Sequence, residues 1–162
     1  SFTSLRAHGK SNEKYKISKV GLNSRLDTIQ AAILIAKMEI FDWELKKRNA
    51  NATLFNKELN EIYKTPSVPK ETKSAWAQYT IRTSKRSRLI NFLNEKKIPV
   101  MIYYPIPMHR QPAYKKFKNS EARLDNSLEL SKTVLSFPVH PYLDNLQKEY
   151  IINNLKKASK IL

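Results

Sequence analysis

Gly21-Leu-Asn-Ser-Arg-Leu-Asp27, followed directly by Thr-Ile-Gln-Ala-Ala-Ile33, places an amide, a hydroxyl and a guanidinium just before a helical pattern. A helix N-terminus offers unpaired backbone N–H groups and a partial positive charge, so an anion such as a phosphate can bind there. Ser24 and Asp27 have the spacing of a capping box, in which the acid reaches back to the cap. The residues alone leave two interpretations open: the start of an ordinary helix, or an anion site.

An apolar stripe continues from this stretch. Its members recur at steps of three and four, which predicts one long amphipathic helix: Leu26, Ile29, Ile33, Ala36, Ile40 and Trp43. The pattern extends to Ile62, and the helix is expected to end before Pro66 because the Thr-Pro-Ser-Val-Pro linker cannot continue it. Such a stripe needs a surface to pack against.

After the linker, the pattern predicts a region of alternating strands and helices. Residues 75–82 alternate as a half-buried strand does, and residues 100–104 and 136–139 are the predicted second and third strands. Helices are predicted over roughly residues 85–97, over a face from Leu124 to Leu135, and after a cap at Asp144. The last helix would bury Ile151, Leu155, Ala158 and Leu162. The expected architecture is a small α/β sheet flanked by helices and preceded by one long helix.

Composition excludes several classes of protein. The 162-residue chain has no cysteine, which excludes a disulfide scaffold and a thiolate metal site. Two glycines cannot form the glycine-rich phosphate loops of common nucleotide-binding folds. The three histidines show no metal-ligating spacing, so no metal site is predicted, and no apolar run is long enough to predict a membrane span.

The net charge of +16 raises nucleic-acid binding as a rival hypothesis. The basic residues, however, form small separate groups: Lys14-Tyr-Lys16, Lys46-Lys-Arg48, Lys85-Arg-Ser-Arg88, Lys115-Lys116 and Lys156-Lys157. No nucleic-acid-binding motif accompanies them. Solvated helix faces therefore explain the charge better, and nucleic acid is disfavoured as a partner.

Five segments together resemble one known family. Gly21–Ile33 is similar to the Gly-x-Asn-x-Arg-Leu-Asp segment of the DegT/DnrJ/EryC1/StrS family of pyridoxal-phosphate-dependent sugar aminotransferases. In the expected order, Leu5–Gly9 resembles the family's Arg-x-His-Gly turn, and Ser74–Arg82 resembles the first strand of its small domain. Tyr104–Tyr114 resembles its Tyr-Pro-x-Pro-Leu-His-x-Gln-Pro loop, and Leu135–Tyr142 its Leu-Ser-Leu-Pro-x-His-Pro segment.

The resemblance implies a fold and a division into segments. The fold would be α/β, the C-terminal small domain of a fold-type I aminotransferase. Residues 1–25 would be a remnant of the large domain or interface, residues 26–65 a long connecting helix, and residues 66–162 the small α/β domain. Family members are much longer, and the Schiff-base lysine lies in the part not matched here. We therefore expect the C-terminal part of an aminotransferase, with no catalytic residue in this chain.

Two candidate binding residues lie in the first segment. The resemblance implies that Asn23 reaches across a dimer interface to the phosphate of pyridoxal 5'-phosphate bound to the other subunit; a carboxamide can donate to a phosphate oxygen. It also places Arg25 where relatives that act on uronic-acid sugars contact substrate, and a guanidinium suits a carboxylate. The alternative for Arg25 is a surface salt bridge with Asp27 or Glu39.

Three more candidates precede or belong to the proline-containing loop. Tyr103 and Tyr104 stand before Pro105-Ile-Pro107, and the resemblance makes Tyr104 a sugar-contacting residue. Many relatives have histidine where this chain has Tyr103, so the substrate contacts differ there. His109 is a candidate for binding or orienting substrate, with a structural role as the alternative. His140, between two prolines, is expected to be a packing residue.

The implied reaction is transamination, in which an amino group passes, usually from glutamate, to a keto group on a nucleotide-linked sugar. Segments Phe41–Glu44 and Trp76–Ile81 favour the branch acting on a UDP-linked 3-oxo-N-acetylglucosaminuronic acid. Products would feed surface polysaccharide or glycan synthesis in the cytoplasm. The protein would act as a homodimer or with a complementing N-terminal half. Whether this chain alone is an enzyme stays open, beside two alternatives: a non-catalytic remnant, or a basic module that binds nucleic acid or another polyanion.

Overall fold

The computed structural model describes residues 1–13, 15–114 and 124–161. The basic positions Lys14 and Lys115-Lys116, and Leu162 of the last helix face, lie outside the described residues. The elements in chain order are helices α1 (Phe2–Arg6), α2 (Thr28–Met38) and α3 (Phe41–Leu59), strand β1 (Tyr79–Arg82), helices α4 (Arg86–Glu95) and α5 (Asp125–Thr133), strand β2 (Val134–Phe137) and helix α6 (Asn145–Ile161). No helix within these ranges is both long and apolar enough to cross a membrane.

The chain divides into two compact units, Ser1–Asp42 and Trp43–Leu162. The first contains α1, a loop with antiparallel bridges between Ala7 and Asn23 and between Lys10 and Ile17, and α2. The second contains the strands and the remaining helices.

The start of α2 differs from the sequence-based expectation. Oδ1 of Asp27 accepts a hydrogen bond of 2.9 Å from the backbone N–H of Ile29, so Asp27 is itself the N-cap. Ser24 lies outside the helix, and its backbone N–H donates to the carbonyl of Arg6 at 2.9 Å. The predicted capping box with Ser24 as the cap is therefore wrong: pairing with the loop holds Ser24 in place, and the helix begins only after Asp27.

The predicted apolar stripe is carried by two helices rather than one. α2 ends at Met38, and α3 begins at Phe41 after a tight turn in which the N–H of Ile40 donates to the carbonyl of Lys37. α2 has no buried residue in the described chain, and Ile29 is 72% exposed. The part of the stripe on α2 therefore presents an exposed apolar surface, whereas Phe55 and Leu59 on α3 are buried.

The core of the second unit forms where α3, α4 and α6 meet the sheet. β1 and β2 are antiparallel, with Tyr79 opposite Phe137 and Ile81 opposite Leu135. The ring of Phe55, from α3, lies 5.4 Å from that of Tyr79 and 5.2 Å from that of Phe137, both edge to face. Such aromatic pairs add to the free energy of burying their area, so this cluster anchors the first helix of the unit to the sheet.

Of the three predicted strands, the first is shorter than expected and the second is reduced to a single bridge. Only Tyr79–Arg82 of residues 75–82 is a strand, because Trp76 has a left-handed φ of 47°. Residues 100–104 contribute one bridge, between Met101 and Ser136, closed by backbone hydrogen bonds of 3.0 and 2.8 Å. The remaining strand begins at Val134 instead of Ser136, directly after α5.

The predicted cap of the last helix is confirmed. The backbone N–H of Gln147 donates to Oδ1 of Asp144 at 2.7 Å, and the N–H of Asp144 donates to Oε1 of Gln147 at 3.1 Å. This is the reciprocal arrangement of a capping box. The buried face of α6 includes the predicted Ile151, Leu155 and Ala158.

Candidate functional site

The backbone of Asn23 is held in place by the loop, whereas its side chain is exposed. Its bridge with Ala7 is supported by a hydrogen bond of 3.0 Å from the N–H of His8 to the carbonyl of Leu22. Its carboxamide is exposed and makes no hydrogen bond with the residues the structure describes. The side chain is therefore available to a ligand at a position that the loop determines.

Two glycines allow the loop to fold this closely. Gly9 has φ +73°, and a Cβ there would lie 1.7 Å from the carbonyl oxygen of Lys19. A Cβ on Gly21 would lie 2.2 Å from the backbone nitrogen of Gly9 and 2.6 Å from the carbonyl oxygen of Leu5. Only glycine tolerates such close backbone approach.

Arg25 is exposed and forms no ion pair within the described ranges. The alternative salt bridge with Asp27 or Glu39 is therefore not formed, and Asp27 caps α2 instead. This cap also changes the expected anion site. A carboxylate already occupies the N-terminus of α2, so a phosphate bound at the terminus itself would meet a negative charge.

Tyr103, Tyr104 and His109 line one cavity of about 660 Å³ in the second unit. The rings of the two tyrosines lie 5.6 Å apart, edge to face. His109 belongs to a 3₁₀ turn, Met108–Arg110, whose preceding Pro107 is extended. Nε2 of His109 is buried without a hydrogen-bond partner in the part of the chain that the structure describes. A buried polar nitrogen without a partner is costly, which sets this side chain apart from an ordinary packing residue.

The structure reveals a second cavity that the sequence analysis missed. It measures about 340 Å³ and shares Tyr103 with the first; Arg48, Gln78 and His140 also line it. Nη1 of Arg48 donates a hydrogen bond of 3.1 Å to the carbonyl of Trp76. In the sequence, Arg48 stands in a short basic group and carries no signal that separates it from a solvated helix face. His140, expected to be a packing residue, has an exposed side chain and accepts at its carbonyl from Nδ2 of Asn51 at 2.9 Å.

The structure thus brings three of the five sequence-predicted residues, Tyr103, Tyr104 and His109, to one cavity. Asn23 and Arg25 lie near each other in the chain, in the first unit. Among the described residues, no group of three or more histidine, aspartate or glutamate side chains could hold a metal ion.

Comparison with known proteins identifies the family. The sequence profile of the DegT/DnrJ/EryC1/StrS aminotransferase family matches residues 1–156. The chain is 38% identical over 141 residues to the UDP-2-acetamido-2-deoxy-3-oxo-D-glucuronate aminotransferase of Pseudomonas aeruginosa, covering 86% of this chain and 38% of that protein.

Solved structures agree in fold. A DegT/DnrJ/EryC1/StrS aminotransferase from Brucella abortus superposes with a TM-score of 0.91 at 39% identity, over 96% of this chain and 42% of that one. DesV of S. venezuelae, in complex with a ketimine intermediate, gives 0.88 at 30% identity, over 97% and 43%. These likenesses confirm the expected aminotransferase fold class, and the chain spans about two fifths of the length of the proteins it matches. The chain belongs to the DegT/DnrJ/EryC1/StrS aminotransferase family.

Proposed function

We propose that this chain is the C-terminal portion of a pyridoxal-phosphate-dependent aminotransferase that transfers an amino group from glutamate to the keto group of a nucleotide-linked sugar. The observation that carries the proposal is the 38% identity with the Pseudomonas aeruginosa aminotransferase, which acts on a UDP-linked 3-oxo-glucuronate. The other matched proteins include dTDP-sugar transaminases, so a nucleotide-sugar substrate is common to these relatives. The product would serve surface polysaccharide synthesis.

The first unit supplies the contact to the cofactor in this proposal. Pyridoxal phosphate provides an electron sink when bound, and the protein orients it. The exposed carboxamide of Asn23, which has no hydrogen-bond partner among the described residues, fits a phosphate oxygen as a donor. The N-terminus of α2 does not add to this contact, because Asp27 caps it. Asn23 would reach the cofactor bound to a second subunit, which makes a homodimer part of the proposal.

The second unit supplies contacts to the sugar. The exposed Tyr104 and the partly buried His109 line the 660 Å³ cavity, which is otherwise largely apolar. This composition suits a sugar ring, because its apolar face can pack while a few polar groups fix its orientation. From the first unit, Arg25, free of ion pairs among the described residues, is separately proposed as a contact to a carboxylate on the sugar.

The net charge of +16 supports an anionic substrate in general. A nucleotide sugar carries a diphosphate, and a uronic acid adds a carboxylate. The same charge suits nucleic acid, but no described cavity or motif favours it. Binding to generic DNA with a steep salt dependence would favour that alternative instead.

The test is cofactor retention and trapping in an enzyme reconstituted from this chain and a family large domain. Asn23→Ala should weaken pyridoxal phosphate retention about tenfold, because a hydrogen bond to a charged phosphate is lost. Asn60→Ala, which changes the same residue type just after α3, is the matched control and should leave retention unchanged.

Borohydride trapping should label no lysine of this chain. One of its lysines trapped stoichiometrically would mean that the proposed division of roles is wrong. Equal retention in the Asn23→Ala and unmodified proteins would remove the phosphate contact, while transamination of the UDP-linked 3-oxo-glucuronate would still test the substrate.

A further inference from the structure

The 340 Å³ cavity, here called the Arg48 cavity, has a one-sided charge. Its described lining contains one guanidinium, one imidazole and one carboxamide, from Arg48, His140 and Gln78, and no aspartate or glutamate. Ser136 also lines it, but its hydroxyl is already paired with that of Thr80 at 2.7 Å. A cavity with cationic and neutral donors and no acid attracts an anion.

Arg48 is held in place by a strained segment of backbone. Trp76, whose carbonyl accepts from Arg48, has φ +47°, a left-handed conformation that a bulky residue seldom adopts. Its N–H donates to Oγ of Ser74 at 3.2 Å, and its indole N–H donates to Oδ1 of Asn49 at 3.0 Å. A strained backbone conformation persists where several surrounding contacts hold it, and such conformations are concentrated at ligand sites. The segment therefore fixes where the guanidinium lies.

The guanidinium keeps donors free for a ligand. Arginine has five N–H donors, and among the described residues the half-buried Arg48 uses one of them, toward Trp76. The side chain of Gln78 makes no hydrogen bond within the described ranges. A planar guanidinium edge beside a carboxamide donor matches the two oxygens of a carboxylate.

The Arg48 cavity shares a lining residue with the 660 Å³ cavity that is proposed to bind the sugar. Tyr103 lines both, so they lie on either side of one residue. An aminotransferase must bind two substrates in turn near one cofactor, a small amino acid and a larger acceptor. The smaller cavity suits an amino acid and the larger one suits a sugar.

We propose that the Arg48 cavity binds a carboxylate of the amino donor, with Arg48 as the anchoring residue and Gln78 as a second donor. This rests on the proposed aminotransferase function. It assigns the two substrates to two cavities separated by Tyr103, and it makes a dicarboxylate such as 2-oxoglutarate a ligand of this chain without any cofactor.

The experiment is a titration of the isotope-labelled 162-residue chain with 2-oxoglutarate, followed by NMR at the Arg48 Nε–H, the Gln78 side-chain amide and the His140 ring. Saturable shifts at these groups are expected. Arg48→Gln should raise the Kd about tenfold or more, because hydrogen bonds to a charged carboxylate are lost. Arg88→Gln, which removes the same charge from the exposed surface of α4, should leave the Kd unchanged.

Arg48→Gln also loses a contact to Trp76, so folding is checked by circular dichroism. If that variant unfolds, Gln78→Ala takes its place, and a severalfold rise in Kd is expected. Glutaramide, the uncharged diamide of similar shape, should not shift the Arg48 signal. Absence of saturable shifts, or equal weakening by Arg88→Gln, would overturn the proposal. Neither result touches cofactor retention through Asn23, so a failure here is distinct from a failure of the proposed function.

Discussion

The hydroxyl of Tyr79 donates a hydrogen bond of 2.6 Å to Oδ1 of Asn56, joining the first residue of β1 to the last turn of α3. Tyr79 is fully buried, and its ring also contacts Phe55 and Phe137. The same side chain therefore belongs to the apolar core and satisfies a polar group of the helix. Burial raises the pKa of this tyrosine well above its ordinary value, so the hydroxyl stays protonated and available as a donor.

Tyr79→Phe should lower the free energy of unfolding by about 1–2 kcal/mol, because Oδ1 of Asn56 loses its donor while the ring packing remains. Urea unfolding followed by circular dichroism measures this. Tyr150→Phe is the matched control: its hydroxyl donates to the carbonyl of Lys96 from an exposed position, and a loss of only a few tenths of a kcal/mol is expected. Equal losses in the two variants would contradict a special role for the Tyr79 contact.

Asp27→Ala should fray the first turn of α2 and destabilise that helix by about 1 kcal/mol, since the N–H of Ile29 loses its capping acceptor. Amide hydrogen exchange at Ile29 measures the effect. Ser24→Ala should leave this exchange unchanged, because Ser24 lies before the helix and its side chain makes no hydrogen bond among the described residues. Faster exchange in Ser24→Ala than in Asp27→Ala would restore the capping box that the sequence suggested.

The two caps show how far sequence reasoning reached. The cap predicted at Asp144 forms, and the structure adds a reciprocal hydrogen bond with Gln147 that the sequence analysis did not predict. Ser24 has an equally suitable spacing from Asp27, but its backbone N–H is hydrogen-bonded to the carbonyl of Arg6 in the loop. Spacing along the chain reports local preference only, and the long-range pairing of the loop decided which residue became the cap.

The candidate site shows the same limit. The proline-containing segment after Tyr104 resembles a family motif over many positions, and the site residues predicted from it line one cavity. Arg48 comes to the other cavity because Trp76, 28 residues later, turns its carbonyl toward α3. A basic residue in a basic helix gives no signal of this in one sequence. The separation of α2 from α3 likewise depends on a turn at Glu39 and Ile40 that leaves the apolar period intact.

Gly21→Ala should disrupt the loop that presents Asn23, because the added Cβ would lie 2.2 Å from the nitrogen of Gly9 and the nearby atoms are backbone that cannot rotate away. A cost of about 1–3 kcal/mol is typical of such overpacking. Hydrogen exchange at the amide of Leu22, which donates to the carbonyl of Leu5 at 2.7 Å, should accelerate. Leu22→Ala, at an exposed side chain, should leave it slow, and unchanged exchange in Gly21→Ala would mean that the loop can rearrange without loss.

Stability should fall at alkaline pH through Tyr63. Burial raises its pKa to about 12 in the folded protein, and its hydroxyl donates to the carbonyl of Leu155 at 2.9 Å. The unfolded chain loses this proton near the ordinary pKa of about 10. Its contribution is therefore fully present below about pH 10 and is lost as the pH rises toward 12, with a slope of at most about 1.4 kcal/mol per pH unit for this group.

Urea unfolding at a series of pH values measures the slope. Tyr63→Phe should flatten it while keeping the ring, and Tyr79→Phe should flatten it as well because Tyr79 is also buried. The same slope in Tyr63→Phe as in the unmodified chain would show that this hydroxyl does not titrate with unfolding.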